Sequence, residues 1–302
     1  MSQITCQAYA KINLTLDVGP RRADGYHDVR SVMQTIALHD TLTVTAAPDP
    51  GVRLEVVGEE VGGVPSDETN LVHKAAVRLQ KTAAARGLLP GSRSGLHLLL
   101  HKRIPSQAGL GGGSSDAAAT LLAVSRLLGL ALSPTRLSEI GASLGADVPF
   151  FLSGGTALAE GLGEKITPIA PLKPDWPLVV VKPNVGVSTA AAYAALDAAS
   201  ERKVSGATQH WLDGEQAPFN DFEAVILPAY PEIAAAYALL SQTAEYGEIR
   251  PLLCGSGSAL FLRASSPSAA EQLAARVTAA GVGKVWVTRT IGARGDNKSW
   301  MQ

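Results

Sequence analysis

The stretch IPSQAGLGGGSSDAAATLL, at 104–122, contains residue types that can bind phosphate. Its glycines leave backbone N–H groups accessible to an anion, because no side chains stand in front of them. A predicted strand precedes the glycines and a predicted helix (116–129) follows, so the helix start adds unsatisfied N–H donors. Ser114 and Ser115 add hydroxyls for a phosphate oxygen or a metal ion. A flexible turn with a serine cap is the alternative interpretation of this motif alone.

Other nucleotide-binding signatures are absent from the sequence. The chain has no G-x-x-x-x-G-K-[ST] motif and no G-x-G-x-x-G spacing, which argues against a P-loop and a dinucleotide fold. The glycine-rich loop, H-R-D and D-F-G set of protein kinases is also missing. The glycine stretch therefore has to be interpreted in its own context.

Polar residues that could take part in catalysis or ligand binding also occur near the start of the chain. Apolar residues alternate through AYAKINLTLDV (8–18), which predicts a strand with one buried face, yet Lys11 and Asn13 lie within it. The turn sequence RRADGYHD follows and contains Tyr26 and His27. The pattern concentrates an amine, an amide, a phenol and an imidazole around one strand and its turn.

Two later stretches are each open to two interpretations. Asp147, in GADVPFF, either caps a turn or is a general base in a partly dry site, where desolvation raises a carboxyl pKa. The sequence LLCGSGSALF (252–261) predicts either a plain hairpin turn or a second loop of small residues that faces a ligand.

Composition limits the class of protein. The chain has 302 residues, of which 46% are hydrophobic and 18% charged, and its net charge is −1. This balance, without blocks of like charge, argues against a broad nucleic-acid surface. Two distant cysteines form neither a zinc motif nor a disulfide framework, and no leader or membrane-length apolar run is evident. We expect a cytoplasmic protein of about two domains.

The predicted secondary structure alternates helices with strands. Helices are predicted at 66–87 (capped by Ser66 or Asp67), 116–129, 133–145, 188–200, 220–227, 231–245 and 267–280. Strands are predicted at 40–48, 51–58, 94–105, 178–183 and 284–289, and within 252–263. Residues 200–216 are polar and predict a loop, and Asp116 is expected in the first helical turn, where a negative charge suits the helix dipole.

Together these motifs resemble the GHMP kinase family, which includes galactokinases, homoserine kinases and mevalonate kinases. PSQAGLGGGSSDAA resembles the central loop of that family, and CGSGSALF resembles its C-terminal glycine-rich loop. The resemblance implies a two-domain α+β fold with the active site in the inter-domain cleft. It implies an ATP-binding and catalytic domain at 1–155 and a substrate-binding domain at 156–302.

The resemblance also implies roles for individual residues. Lys11 and Asp147 are the expected catalytic pair. ATP is expected at Pro105, Gly109, Leu110, Gly111, Gly112, Gly113, Ser114, Ser115 and Asn70, with Ser115 contacting Mg²⁺. Substrate is expected at Asn13, Tyr26, His27, Thr189, Tyr193, Gly255, Ser256 and Gly257. In this scheme Tyr26 and Tyr193 stack on a cytosine whose edge is hydrogen-bonded by His27.

One branch of the family shares the segments at 10–36, VSTAAAY and NDFE most closely. That likeness implies transfer of phosphate from ATP to the 2-hydroxyl of a methylerythritol linked to cytidine diphosphate, a step of non-mevalonate isoprenoid synthesis. The implied partners are this small-molecule substrate, ATP and Mg²⁺, with no nucleic acid and no membrane, in a monomer or weak homodimer. The alternatives are a GHMP kinase for another alcohol, a family decarboxylase, and an inactive paralogue that would lack Lys11 or Asp147.

Overall fold

The computed structural model describes residues 3–87, 95–173, 175–199, 204–215, 218–243 and 249–294. The strands in these ranges are β1 (Gln3–Arg21), β2 (His27–Ala47), β3 (Gly51–Gly58), β4 (Gly95–Lys102), β5 (Thr156–Glu160), β6 (Lys165–Pro168), β7 (Pro177–Lys182), β8 (Phe219–Asn220), β9 (Leu252–Leu253), β10 (Leu260–Arg263) and β11 (Lys284–Arg289). The helices are α1 (Leu71–Ala85), α2 (Gly112–Leu127), α3 (Pro134–Leu144), α4 (Val148–Ser153), α5 (Thr189–Ala198), α6 (Ala207–Leu212), α7 (Glu223–Ala229), α8 (Pro231–Ser241) and α9 (Pro267–Ala280).

Two sheets organise the described residues. The larger sheet has the strand order β3-β4-β2-β1-β8, and β5 joins it by pairing with β2 and with β6. The smaller sheet has the order β11-β7-β10-β9. Strands β5 and β6 follow residue 155 and still belong to the larger sheet, and β8 pairs with β1 of that sheet although it follows β7 in the chain. The division at 155/156 stays a prediction about domains.

Strand β1 is buried on both faces, whereas its alternation predicted one buried face. Before a register shift between Tyr9 and Lys11, the side chain of Ala8 packs in the core formed with α1 and α2. After it, Ile12 and Leu14 pack in the core against the smaller sheet. Irregular pairing of this kind re-aims side chains near functional sites. The polar face with Lys11 is covered by the loop before α2, whose Leu110 carbonyl accepts a hydrogen bond from the Lys11 N–H at 3.0 Å.

The smaller sheet has an apolar side chain on each face of its central strand β7. Val179 and Val181 pack with the helices α5, α8 and α9, whereas Leu178 and Val180 pack in the core shared with β1. Successive side chains of a strand point to opposite faces, so the run LVVV contributes side chains to two hydrophobic cores. This packing fixes the smaller sheet and its helices against the strand that contains Lys11.

Several predicted elements differ from those observed. Helix α1 begins at Leu71, and Asn70 caps it by accepting a hydrogen bond from the Val72 N–H, so the caps predicted at Ser66 or Asp67 are wrong. The predicted loop at 200–216 contains helix α6 within its described part, 204–215. The ends of the helices predicted to reach 200 and 245 lie outside the described residues.

No single helix in the described ranges is long and apolar enough to cross a membrane. The helices α7 and α8 reach that composition only as a pair, and they meet at an angle of 111°.

Candidate active site

Two cavities meet at one group of residues between the sheets. The larger cavity has a volume of about 890 Å³ and the smaller about 440 Å³. Both are lined by Lys11, Ser114, Asp147, Thr189 and Ser256. A molecule in one cavity therefore approaches a molecule in the other at these five side chains.

The glycine stretch forms the wall of the smaller cavity and the first turn of α2. Helix α2 begins at Gly112, four residues earlier than predicted, and Gly111 precedes it with a left-handed φ of 72°. No side chain caps this helix start, so its first N–H groups are available to an anion. A Cβ on Gly111 would lie 2.6 Å from Cζ of the buried Phe151. Only glycine fits there, because both the space and the backbone angle exclude a side chain.

The smaller cavity gathers nearly all of the residues predicted to bind ATP. It is lined by Asn70, Pro105, Gly109, Leu110, Gly111, Gly112, Gly113 and Ser114. Ser115 is the exception, because it is fully buried and lines neither cavity. The hydroxyl placed for a metal or phosphate contact is that of Ser114, which lines both.

The expected place of Asp116 in the first helical turn is wrong, because α2 begins at Gly112 and its first turn contains no acidic residue. Asp116 is buried and forms an ion pair at 2.8 Å with Lys102, which also pairs with the buried Asp40. Burial, opposed by the charge of Lys102, raises the pKa of Asp116 to about 8. Burial opposes the charge of Lys102 too, but the two carboxylates outweigh it and raise the pKa of that ammonium. This buried cluster of ion pairs links the end of β4 to α2.

Lys11 and Asp147 face each other where the cavities meet. Lys11 Nζ lies 3.7 Å from Asp147 Oδ2 and donates a hydrogen bond to Asn13 Oδ1 at 2.7 Å. The Asn13 amide in turn donates to Ser31 Oγ at 2.7 Å. This chain orients the ammonium toward the carboxylate.

Asp147 immediately precedes α4, but its side chain makes no capping hydrogen bond to that helix. The capping interpretation of this residue is therefore wrong. Its side chain is 35% exposed, so the dry setting expected from the flanking apolar residues is only partly present. The carboxylate is open to whatever enters the two cavities.

The second glycine loop closes against the first. A Cβ on Gly109 would lie 1.7 Å from the Cys254 carbonyl oxygen, and a Cβ on Gly257 would lie 2.0 Å from the Gly109 nitrogen. Gly255 and Ser256 line the larger cavity as predicted, and Ser256 Oγ lies 3.2 Å from Thr189 Oγ1. Gly257 does not line it. The observed role of Gly257 is close backbone packing between the loops.

The larger cavity brings together the remaining predicted substrate residues. Asn13, Tyr26, His27, Thr189 and Tyr193 all line it, although they are widely separated in sequence. The rings of His27 and Tyr193 lie 5.0 Å apart, and Tyr193 also meets the Phe222 ring edge-on at 5.0 Å. Tyr26 is 61% exposed at the cavity rim. One end of the larger cavity is therefore lined by aromatic rings, which agrees with the prediction that a base stacks there.

The structure changes the role predicted for the His27 ring. Its Nδ1 lies 3.0 Å from the Gly19 carbonyl oxygen, and its Nε2 lies 3.2 Å from Asp197 Oδ1. Both ring nitrogens therefore have protein partners, which leaves neither free to hydrogen-bond the edge of a base. Asp197, Arg21 and Lys102 also line the cavities and were not predicted. Arg21 is part of the turn sequence RRADGYHD, and Asp197 follows Tyr193 by four residues on a predicted helix, so these two residues had a sequence signal.

Comparison with known proteins agrees with this geometry. Residues 70–155 match the model of the GHMP kinases N terminal domain. The fold is similar to a crystal structure of homoserine kinase from Cytophaga hutchinsonii, with a TM-score of 0.72 and 18% identity, covering 100% of this chain and 97% of that one. The fold and the matched segment are those of a GHMP-type small-molecule kinase.

Closer relatives narrow the class. The chain is 43% identical over 289 residues to the 4-diphosphocytidyl-2-C-methyl-D-erythritol kinase of Moorella thermoacetica, covering 92% of this chain and 95% of that one. It is 42% identical to the Geobacter metallireducens enzyme of the same name, with coverage of 92% and 95%. A crystal structure of 4-(cytidine 5'-diphospho)-2C-methyl-D-erythritol kinase matches with a TM-score of 0.74 and 32% identity, covering 95% and 99%. The chain belongs to this family of GHMP kinases.

Proposed function

We propose that the protein transfers the γ-phosphoryl group of ATP to the 2-hydroxyl of 4-diphosphocytidyl-2-C-methyl-D-erythritol. The observation that carries the proposal is the meeting of the two cavities at Lys11 and Asp147. The smaller cavity takes the phosphates, and the larger takes the cytidine substrate. The acceptor hydroxyl and the γ-phosphate then meet beside a carboxylate and an ammonium.

The smaller cavity suits a polyphosphate because of its backbone. The uncapped start of α2 and the glycine-lined wall present N–H groups and a positive dipole end. Mg²⁺ fits here as a companion of the phosphates, since it is typically held by few protein oxygens and several phosphate or water oxygens. The Ser114 hydroxyl and the Asp147 carboxylate are such oxygens, whereas Ser115 Oγ is buried and lines neither cavity, so its contact with Mg²⁺ stays a prediction. Bound Mg²⁺ would supply neutralisation of phosphate charge.

The catalytic pair acts on the acceptor alcohol. Asp147 takes the proton of the hydroxyl as the new bond to phosphorus forms. Lys11, held by Asn13, lies 3.7 Å from the carboxylate and stabilises charge on the transferring group. Positioning of the two substrates supplies most of the remaining acceleration, because little covalent chemistry is required of the protein.

The larger cavity suits the cytidine end of the substrate. Tyr26 and Tyr193 offer ring faces on which a base stacks, and Phe222 supports Tyr193 from its edge. A kinase for homoserine or mevalonate would have no base to place there. The assignment of ATP to residues before 156 and of the alcohol to later residues is retained only in part. Lys11 of β1 lines both cavities, and the turn after β1 lines the larger one.

Substitution of Asp147 tests the proposal. Asp147→Asn should retain binding of ATP and of the cytidine substrate in calorimetry, because the fold and the cavities are unchanged. Its kcat should fall by roughly 10²–10⁴-fold, the usual loss for a positioned general base. Near-normal turnover in the variant would contradict the role of this carboxylate.

The cytoplasmic location and a monomeric or weakly dimeric state stay predictions.

A further inference from the structure

Asp197 is an acidic residue in the larger cavity for which the proposed chemistry has no use. It follows Thr189 and Tyr193 at 4-residue intervals on α5, so the three side chains share one face of the helix. All three line the cavity. The Asp197 side chain is 32% exposed and lies more than two helical turns from Thr189, at the end of the face that contains Tyr193.

The contacts of Asp197 reach the turn between β1 and β2. Its Oδ1 lies 3.2 Å from His27 Nε2, and its Oδ2 lies 3.7 Å from the Nε of Arg21. The other His27 nitrogen faces the Gly19 carbonyl at 3.0 Å. The buried His27 ring is therefore held between a backbone carbonyl on one side and the Asp197 carboxylate on the other.

This pair joins two separate parts of the fold beside the aromatic residues. His27 directly follows Tyr26 at the start of β2, and Asp197 lies one turn beyond Tyr193 on α5. The His27 ring packs on the Tyr193 ring with centroids 5.0 Å apart. The separation between Tyr26 and Tyr193 therefore depends on the link between His27 and Asp197.

We propose that Asp197 is a positioning residue that, through His27, fixes the β1–β2 turn against α5 and so sets the gap between Tyr26 and Tyr193 before substrate binds. The inference rests on the proposed function, in which a cytosine enters this gap. A gap that is already formed lowers the ordering cost of binding. Asp197 then contributes to affinity for the base without touching it.

The test compares three variants of the full chain. Asp197→Ala removes the partner of His27 Nε2, whereas Asp197→Asn retains a side chain of the same shape that can hydrogen-bond this nitrogen. Asp28→Asn is the matched control, because Asp28 adjoins His27 but pairs with Arg22, is 63% exposed and does not line the cavity.

Kinetics of phosphoryl transfer give the first measurement. Asp197→Ala should raise KM for the cytidine substrate about 3- to 10-fold, the range expected for a partly exposed, charge-assisted contact. Its kcat and its KM for ATP should stay within about 2-fold of the wild type. Asp197→Asn should recover most of the loss, and Asp28→Asn should behave as the wild type. An unchanged substrate KM in Asp197→Ala, or an equal fall in kcat, would overturn the proposal.

Hydrogen exchange of the free protein gives a second measurement that does not depend on the substrate. Amides of residues 21–27 should exchange faster in Asp197→Ala than in the wild type or Asp28→Asn, because the turn has lost its link to α5. Equal protection in all variants would overturn the positioning role even if the substrate assignment holds. Faster exchange in a protein whose wild type ignores the cytidine substrate would support the link and contradict the proposed function.

Discussion

Gly111 is a position in the wall of the smaller cavity at which even a single methyl group should destabilise the fold. Its φ of 72° is left-handed, a conformation that costs an alanine about 1–2 kcal/mol. The new Cβ would lie 2.6 Å and 2.9 Å from two ring atoms of Phe151, which is fully buried and packs against Phe150. Overpacking of this kind costs about 1–3 kcal/mol. Gly111→Ala should therefore lower the free energy of unfolding by about 2–5 kcal/mol.

Gly113 provides the matched control two residues later. A Cβ on Gly113 meets only Leu71 Cδ1, at 3.9 Å, and the residue is already helical. Gly113→Ala should be neutral or stabilise the ligand-free protein by up to about 1 kcal/mol, because alanine loses less entropy in a helix. Urea denaturation followed by tryptophan fluorescence measures both variants. Equal stability of the two variants would refute the claim that Gly111 is required by geometry.

Two further outcomes are expected. Tyr193→Ala should raise KM for the cytidine substrate about 5- to 150-fold and leave KM for ATP unchanged. Tyr193→Phe should have little effect, because it retains the stacking ring. Steady-state kinetics in which both variants behaved alike would contradict this prediction. Lys102→Met should lower the free energy of unfolding by about 3–5 kcal/mol at pH 8, because it leaves two carboxylates buried without their cation. At pH 5 burial keeps a proton on Asp116, so this side chain has no charge for Lys102 to neutralise, and the loss should be smaller than at pH 8, where that proton begins to leave. Urea titrations that show the same loss at both pH values would contradict the assignment.

The sequence was informative where local chemistry determines structure. The glycines before α2 were predicted from residue type and a strand–loop–helix context, whereas the pair Lys11 and Asp147 was implied by the family resemblance. The cap at Asn70 and the early start of α2 were not, because several neighbouring residues have similar capping propensity and tertiary packing selects one. Helix ends are the part of local structure that packing decides.

The remaining errors concern side-chain direction. Ser114 and Ser115 are adjacent and chemically identical, and only the placement of the helix determines which one faces the cavities. His27 was expected to contact a base, but the fold places a carbonyl and Asp197 at its two nitrogens. Both partners are determined by the three-dimensional arrangement of β1 and α5, which no local pattern encodes.

A comparison of kcat/KM among alternative acceptors tests the central claim most directly. The purified protein would be incubated with ATP, Mg²⁺ and either 4-diphosphocytidyl-2-C-methyl-D-erythritol, its uridine analogue, homoserine, mevalonate or galactose, and kcat/KM measured for each. Phosphorus NMR would locate the new phosphate. The account predicts the highest kcat/KM for the cytidine substrate, with the phosphate on its 2-hydroxyl. Equal turnover of the uridine analogue would contradict recognition of the base, and preference for another alcohol would contradict the proposed substrate.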